Sequence, residues 1–257
     1  MLSIEEFLPT TSLKPYIKAY KIIESSHAIT NRVVPDTSCA MAFCIKGQLS
    51  YLNHSDKAIL PPAIFSGLRT SVRLINYAPQ TISLIVLFKE MGVSAFFRPS
   101  VHELFEKSIP LNTLFPPETI ALVEEQLAET KTNQEKINII EQFLCSKLFQ
   151  IKTDTLVLAA LHKIYANHGL GKIKDLTNSL NISQDAFEKR FRKITGTTPK
   201  QFSTIVKLKN MVRENPPASF IDMALANNYY DQSHFNKDFK RFTGQMPTDF
   251  FKSASYW

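Results

Sequence analysis

Residues 183–202, SQDAFEKRFRKITGTTPKQF, recur at residues 231–250 as DQSHFNKDFKRFTGQMPTDF, with a constant offset of 48 positions. The two copies are identical at eight positions without a gap, and two further positions exchange one basic residue for another. Chance similarity does not keep that many positions in register. The repeat therefore predicts two copies of one structural unit in the C-terminal part of the chain.

Each copy predicts one short amphipathic helix with defined ends. Ser183 and Asp231 stand where an N-cap side chain accepts a backbone N–H, and Gly196 and Gly244 would end each helix in a left-handed turn. A proline three residues after each glycine can begin the next helix. Between these ends, phenylalanines four residues apart form an apolar stripe that we expect to be buried. The stripe residues are Phe187, Phe191, Phe235 and Phe239.

The helix face opposite the phenylalanines is polar in both copies. Amide side chains pair with adenine in the major groove, and basic side chains pair with guanine or hold phosphates. This face therefore predicts DNA recognition. The predicted DNA contacts are Gln184, Asp185, Glu188, Lys189 and Arg192 on the first helix, and Gln232, Ser233, His234, Asn236, Lys237, Lys240 and Arg241 on the second.

The second helix is the better DNA ligand by its charges. We expect Gln232, Ser233 and Lys237 to read bases. Lys240 and Arg241 are expected to hold phosphates. The first helix carries two carboxylates on its outer face, which weaken general affinity for DNA unless one of them accepts a hydrogen bond from cytosine. The second unit is therefore expected to supply much of the grip.

A short apolar helix and a tight turn precede each polar helix. The first pair is Ile173–Ser179 with Asn181 in the turn, and the second is Ile221–Asn227 with Asn228. Asn is the non-glycine residue that best tolerates a left-handed backbone. A helix, a turn and an exposed polar helix make a helix-turn-helix. The predicted units are residues 173–194 and residues 219–242, with approximate ends.

The charge of the chain is divided unequally along its length. Residues 1–150 contain 14 Lys and Arg against 14 Asp and Glu, whereas residues 151–257 contain 16 against 9. The whole net charge of +7 thus lies in the second part. Nucleic acid is the commonest polyanion that such a basic region meets. We predict a neutral module at 1–150 and a DNA-binding domain at 151–257, although charge alone is equally compatible with a solvated, lysine-rich surface.

The N-terminal part predicts a different architecture. Short apolar or alternating runs between residues 15 and 88 are broken by turn residues at the close spacing of an antiparallel sandwich or small barrel. After Gly92 the period becomes helical, at 93–97, 101–105, 118–128 and 134–149. The last of these has an apolar stripe that we expect to pack on the β module, with a dimer contact as the alternative. The predicted fold class is α+β, a β-rich module with helices followed by an all-α domain.

The segments 176–202 and 223–250 resemble the paired helix-turn-helix domain of the AraC/XylS family of transcription regulators. The resemblance covers about Thr155 to Phe251 and departs at Thr177, where Ala is usual, and at Asn181 and Asn228, where Gly is usual. It implies that the partner is double-stranded DNA and that RNA polymerase is a further partner. Residues 88–115 more loosely resemble a β-rich module of unassigned role that precedes this domain in some members.

In that family one long helix joins the two units, and residues 199–213 would form it here. Fifteen residues give about 22 Å of helix. With the helix diameters added, this length holds two recognition helices near one DNA turn apart, about 34 Å. One chain would then read two successive major grooves.

Several other classes of protein are excluded or disfavoured by the sequence. We find no signal peptide and no membrane span, and three cysteines without an export signal favour reduced thiols in the cytoplasm. Cys39, Cys44 and His54 lack the spacing of a metal site, and no phosphate loop or catalytic triad is evident. The sequence therefore predicts no enzyme, no metal and no cofactor. Residues 1–150 are expected to carry the regulatory input, through a small-molecule effector, through a homodimer, or through both.

The sequence leaves three hypotheses for the function of the whole chain. The first is a ligand-responsive regulator, and the second is a DNA-repair or DNA-modifying enzyme that uses the C-terminal domain for docking. The third is an adaptor whose helical repeat binds protein. The enzyme would need a reactive cysteine in a basic, metal-clamped setting, and the adaptor would need an apolar exposed face on residues 183–193. The sequence shows neither feature, so the regulator is favoured.

Overall fold

The computed structural model of the protein describes residues 2–53, 56–97, 101–149, 153–214, 217 and 219–252. Within these residues, ten strands form two antiparallel sheets, a six-stranded sheet in the order β1-β2-β9-β4-β7-β10 and a four-stranded sheet in the order β3-β8-β5-β6. The strands are β1 Leu2–Phe7, β2 Ile17–Ser25, β3 Ile29–Val33, β4 Ala40–Lys46, β5 Leu49–Asn53, β6 Asp56–Ile59, β7 Ala63–Ser66, β8 Arg73–Tyr77, β9 Thr81–Phe88 and β10 Ser108–Pro110.

The large sheet has two unequal faces because side chains alternate along its strands. Met41, Leu84 and Val86 point to one face and are 0% exposed. They belong to one buried cluster with Ile140 and Leu144 of the following helices. The other face meets the small sheet, so the β module is a two-sheet sandwich with helices on its outer side.

Nine α-helices follow the sheets within the described residues. The apolar stripe of α2 packs against the β module, as the sequence predicts, and a complete capping box of Thr132 and Glu135 fixes its start. The helices are α1 Pro117–Glu129, α2 Asn133–Lys147, α3 Thr155–Ala166, α4 Ile173–Ser179, α5 Gln184–Thr195, α6 Pro199–Met211, α7 Phe220–Ala226, α8 Gln232–Thr243 and α9 Pro247–Phe250. No described helix has the length and apolar character needed to cross a bilayer.

The buried side chains fall into unequal clusters. The largest runs without a break from the β module, through α1 and α2, into Phe187 and Phe191 of α5 and Phe202 of α6. A second cluster contains Phe235, Phe239 and the side of α6 that faces them. The first helix-turn-helix unit thus shares its core with the N-terminal module, whereas the second unit has its own.

The element predictions were correct in type for most of the chain, with specific errors. Residues 93–97 and 101–105 form short 3-10 turns, Val93–Ala95 and Val101–Leu104, because these runs are too short to complete an α-helix. The sheets extend beyond residues 15–88, since β1 and β10 were not predicted and each adds an edge strand. Helix α6 ends at Met211, two residues before the predicted end. The predicted domain boundary at 150/151 and His54 lie outside the described residues.

Candidate nucleic-acid interface

Helices α5 and α8 have the same length and the same ends, as the sequence repeat predicts. The Ser183 hydroxyl accepts the Ala186 N–H at 3.4 Å, and the Asp231 carboxylate accepts the His234 N–H at 2.7 Å. Gly196 and Gly244 end the helices with φ of 86° and 80°, respectively. Only glycine takes that backbone conformation without strain, so the repeated glycines fix where both helices stop.

The phenylalanine stripes are buried as predicted. Phe187, Phe191, Phe235 and Phe239 are all 0% exposed, and the two rings of each pair lie 5.5 Å apart. Each stripe also meets an aromatic ring of the helix that follows, Phe191 with Phe202 and Phe239 with Phe250. Burial on this side leaves the polar side of each helix on the surface.

The turns before α5 and α8 have the predicted left-handed residue. Asn181 has φ of 52° and Asn228 has φ of 58°. The Asn228 side chain also donates to the Leu170 carbonyl at 3.2 Å, which ties the second turn to the segment after α3. Asparagine therefore supplies the left-handed residue in both turns.

Most of the twelve predicted DNA contacts lie on the side of each helix away from the phenylalanines, whereas Gln184 and Gln232, in the first turn, are three residues before the first phenylalanine and lie nearer the stripe. Ten of them are exposed, and Glu188 and Asn236 are half-buried. The exposed ones are Gln184, Asp185, Lys189, Arg192, Gln232, Ser233, His234, Lys237, Lys240 and Arg241. This surface combines amide, hydroxyl and basic groups, the side-chain types that recognise base edges and phosphates.

One arginine near the outer face of α5 has a protein partner. Arg190 Nε donates to the Asp154 carboxylate at 2.5 Å, and the same carboxylate caps α3 through the Val157 N–H. Burial raises the pKa of the Asp154 carboxyl, but the hydrogen bonds from Arg190 and Val157 lower it by more. The pKa is therefore below its ordinary value, and the group stays ionised. Arg190 therefore anchors α5 to α3, and Lys189, Arg192 and Lys193 are the other exposed basic residues of this helix.

His234 combines a structural and a surface role. Its ring lies edge-on to Tyr229 at 5.2 Å, and Nε2 is 3.6 Å from the Asp238 carboxylate. Burial and Asp238 raise the pKa of the Tyr229 hydroxyl well above its ordinary value. Asp238 was not among the predicted site residues, and it places a negative charge beside the outer face of α8.

The C-terminal end of α8 rests on the β module. Arg241 Nη2 donates to the Thr70 hydroxyl at 2.6 Å, and the Arg241 carbonyl accepts the Val72 N–H at 3.1 Å. Thr70 is in turn fixed by Glu106, whose carboxylate accepts both the Thr70 hydroxyl and its N–H. Gly244 lies so close to this surface that an added Cβ would meet a Val72 methyl at 3.1 Å. A predicted phosphate contact is thus bound to the N-terminal module.

Helix α6 forms a second polar contact with the β module. Lys209 Nζ lies 2.5 Å from the Asp36 carboxylate, and Lys18 approaches the same carboxylate at 3.6 Å. Burial raises the pKa of Asp36, but Lys209 and Lys18 lower it to about 2. Sequence reasoning missed both contacts because they join residues more than 170 positions apart and leave no local pattern.

The cysteines and acidic residues do not form a metal site in the part of the chain that the structure describes. No group of three His, Cys, Asp or Glu side chains there is placed to hold an ion. Cys39 is buried, and burial raises its thiol pKa to about 12, which disfavours the reactive thiolate.

Two family models match the chain. A helix-turn-helix domain matches residues 176–253, and a domain of unknown function (DUF6597) matches residues 5–110. The first match spans both helix-turn-helix units, from α4 to α9. The second spans both β-sheets.

One curated relative is the Msm operon regulatory protein of Streptococcus mutans, which is 29% identical over 119 residues. That match covers 44% of this chain and 43% of the relative, so the chain spans less than half the length of this relative. Among solved structures, ToxT of Vibrio cholerae aligns over 90% of this chain and 97% of its own, with 11% identity and a TM-score of 0.45. A second ToxT structure, with unsaturated fatty acid bound, aligns over 90% of this chain and 94% of its own, with 13% identity and a TM-score of 0.42.

The helix-turn-helix match at residues 176–253 covers both structural units with their capped helices. The similarity to the Streptococcus regulatory protein agrees with this match. The chain therefore has a helix-turn-helix domain at residues 176–253, preceded by a DUF6597 module at residues 5–110.

Proposed function

We propose that this protein is a transcription regulator that binds double-stranded DNA through α5 and α8. The observation that carries the proposal is the doubled recognition helix, in which a fully buried phenylalanine stripe leaves an exposed polar and basic face. An adaptor for other proteins would need apolar side chains on that face. RNA polymerase is a further partner in this proposal, because the C-terminal segments resemble the AraC/XylS family.

The two helices would enter successive major grooves on one side of the duplex. Helix α6, which joins the units, has 13 residues and is therefore about 20 Å long. With helix diameters added, this length supports a separation of about one DNA turn, 34 Å. Gln232, Ser233 and Lys237 then read bases, and Lys240 holds a phosphate.

The N-terminal module would control DNA binding through its contact with α8. The bond to Thr70 fixes the position of the Arg241 side chain, so a phosphate that needs this side chain in another position competes with the β module. Any signal that changes how residues 70–72 hold α8 would change the affinity for DNA, because the two arrangements then differ in binding free energy. The signal enters as a small molecule, as self-association, or as both.

The DNA-binding proposal is tested with the full chain, because the core of the first unit is continuous with the β module. Selected duplexes from the host genome are titrated at increasing salt. Lys and Arg side chains displace counterions from the phosphates, so we expect the affinity to fall steeply as the salt concentration rises. For each tenfold increase in salt, the logarithm of the binding constant should fall by about 0.9 per phosphate contact. An affinity that does not change with salt would contradict the proposal.

The control proposal is tested with Thr70→Val, which removes the acceptor of Arg241 and keeps the size of the side chain. We expect tighter DNA binding than in the wild type, because Arg241 becomes available to phosphate. Thr113→Val is the matched control, since the Thr113 hydroxyl donates only to the Pro110 carbonyl in its own turn. Equal affinity of both variants would show that the module does not compete through this contact.

A further inference from the structure

The turn before α8 contains one residue more than the turn before α5. In the first turn the Asn181 N–H donates to the carbonyl three residues before it, and the Ile182 N–H donates to the carbonyl five residues before it. Asn228 and Tyr229 repeat these two bonds in the second turn, 47 positions later. The N-cap residues of α5 and α8, however, are 48 positions apart. The additional residue of the second turn is therefore Tyr230, which has no counterpart in the first unit.

Tyr229 takes the buried position of the second turn, and Tyr230 does not. Ile182 packs against the large core that contains the first unit. Tyr229 is 4% exposed, its ring centroid lies 5.5 Å from that of Phe235, and Lys207 Nζ lies 3.6 Å from it. Tyr230 is 92% exposed, the largest value among the exposed large apolar and aromatic side chains of the described residues. Its side chain makes no hydrogen bond, ion pair or ring contact with any residue that the structure describes.

Tyr230 lies beside the part of α8 that is nearest to DNA in a helix-turn-helix. The N-terminal residues of a recognition helix contact base edges, and in α8 these are Gln232 and Ser233. Tyr230 is two residues before Gln232, so their Cα atoms are at most about 7 Å apart. Because Tyr230 precedes the N-cap Asp231, its side chain starts outside the helix. When α8 occupies a major groove, this position is at the rim of the groove, where a sugar–phosphate backbone runs.

The phenol of tyrosine has the chemistry that this rim requires. Its hydroxyl can donate a hydrogen bond to a phosphate oxygen, and its ring can cover the apolar side of a deoxyribose. The phenol is neutral, so such a contact displaces no counterion from DNA. We propose that the Tyr230 hydroxyl donates to a phosphate at the rim of the groove that α8 occupies. This contact rests on the proposed function, and the first unit has no equivalent of it because Ile182 packs inward.

The test compares Tyr230→Phe and Tyr230→Ala with the wild type, all as full chains. Each protein is titrated with a duplex recovered from the host genome and with a random duplex of the same length, at several salt concentrations. Tyr230→Phe removes only the hydroxyl and should bind both duplexes about tenfold more weakly, the worth of one hydrogen bond to a charged group. Because the hydroxyl is neutral, the salt dependence of the affinity should stay as in the wild type. Tyr230→Ala should bind at least as weakly.

Two further variants are matched controls. Leu8→Ala removes another exposed side chain, 80% exposed in the β module, and should bind DNA as the wild type does. Lys240→Ala removes a charged phosphate contact, so it should weaken binding and also reduce the salt slope by about 0.9. The melting temperatures of both Tyr230 variants should equal that of the wild type, because the side chain is exposed.

The proposal is overturned if Tyr230→Phe binds both duplexes as tightly as the wild type, because the hydroxyl then has no partner on DNA. A loss confined to the genomic duplex would overturn it in favour of base readout. It is also overturned if the salt dependence becomes weaker, if the melting temperature falls with the affinity, or if Leu8→Ala loses as much affinity. A wild type that binds neither duplex overturns the proposed function and this contact together. A wild type that binds DNA no better than Tyr230→Phe overturns this contact alone.

Discussion

The two helix-turn-helix units have nearly the same local structure and very different surroundings. Both recognition helices have 12 residues, an N-cap side chain, a buried phenylalanine pair and a left-handed glycine at the end. The first unit is part of the large core that also fills the β module, whereas the second has a separate core. The sequence repeat thus determines the local structure of each unit. The surrounding elements determine whether the unit has a core of its own.

The second unit meets the β module through apolar and polar contacts. Val34 packs against its core, and the polar contacts include the Arg241 bonds to Thr70 and Val72 and the Lys209–Asp36 ion pair at the end of α6. Polar contacts of this kind contribute little net stability when partly exposed, so they can be exchanged for contacts with DNA. The shared core of the first unit offers no such exchange. We therefore expect α8 to be the more responsive recognition helix.

The largest expected effect on stability comes from replacing one phenylalanine in each buried stripe by alanine. Phe187→Ala and Phe235→Ala should each destabilise their unit by about 3–5 kcal/mol, because both rings are fully buried. Phe187→Ala should lower the melting temperature of the β module as well, whereas Phe235→Ala should unfold mainly the second unit. Hydrogen exchange along the chain measures both patterns. Identical patterns for the two variants would refute the difference between the cores.

The next effect concerns base readout by α8. Lys237→Ala should cost about 1–3 kcal/mol of DNA-binding free energy and relax the preference at one base pair. The equivalent Lys189→Ala in α5 should have a smaller effect, because Asp185 on the same face already weakens the attraction to DNA. Binding is measured on specific and on random duplexes. Equal losses on both duplexes would show that Lys237 holds a phosphate and reads no base.

A smaller effect is expected in the two turns, and there the units should behave alike. Asn181→Ala and Asn228→Ala should each cost about 1–2 kcal/mol of stability, because alanine fits poorly at their positive φ. Asn181→Gly and Asn228→Gly are the controls and should leave stability near the wild-type value. Thermal unfolding followed by circular dichroism gives the comparison. A glycine variant as unstable as the alanine variant would locate the cost in the lost side-chain bonds instead.

The smallest effect is the pH dependence of the contact at the end of α6. The pKa of Asp36 is lowered from 3.8 to about 2 in the folded protein, so its contribution to stability is present above pH 3.8 and is lost as the pH falls toward 2. Both partners are partly exposed, so the contribution is about 1 kcal/mol or less. Asp36→Asn should flatten this part of the stability curve. Asp175→Asn, at an exposed carboxylate without an ion pair among the described residues, should not change it.

The sequence determined the parts of this protein that depend on local chemistry. The repeat at residues 183–202 and 231–250 gave the ends of α5 and α8, the buried stripes and the turn residues, because capping, helical periodicity and left-handed backbone act over a few residues. Alternation of apolar residues likewise predicted most strands, but it missed β1, β6 and β10. These strands lie at sheet edges and bury too little side-chain surface to show a strong alternating pattern.

Only the tertiary structure decided which parts share a core and which side chains have partners. No local pattern indicates that Arg241 meets Thr70 or that Lys209 meets Asp36. Such contacts join residues far apart in the chain, and their formation depends on how the two sheets and α6 pack. The sequence therefore determined the ends and the buried stripes of the recognition helices, and the tertiary packing decided which contacts hold them in place.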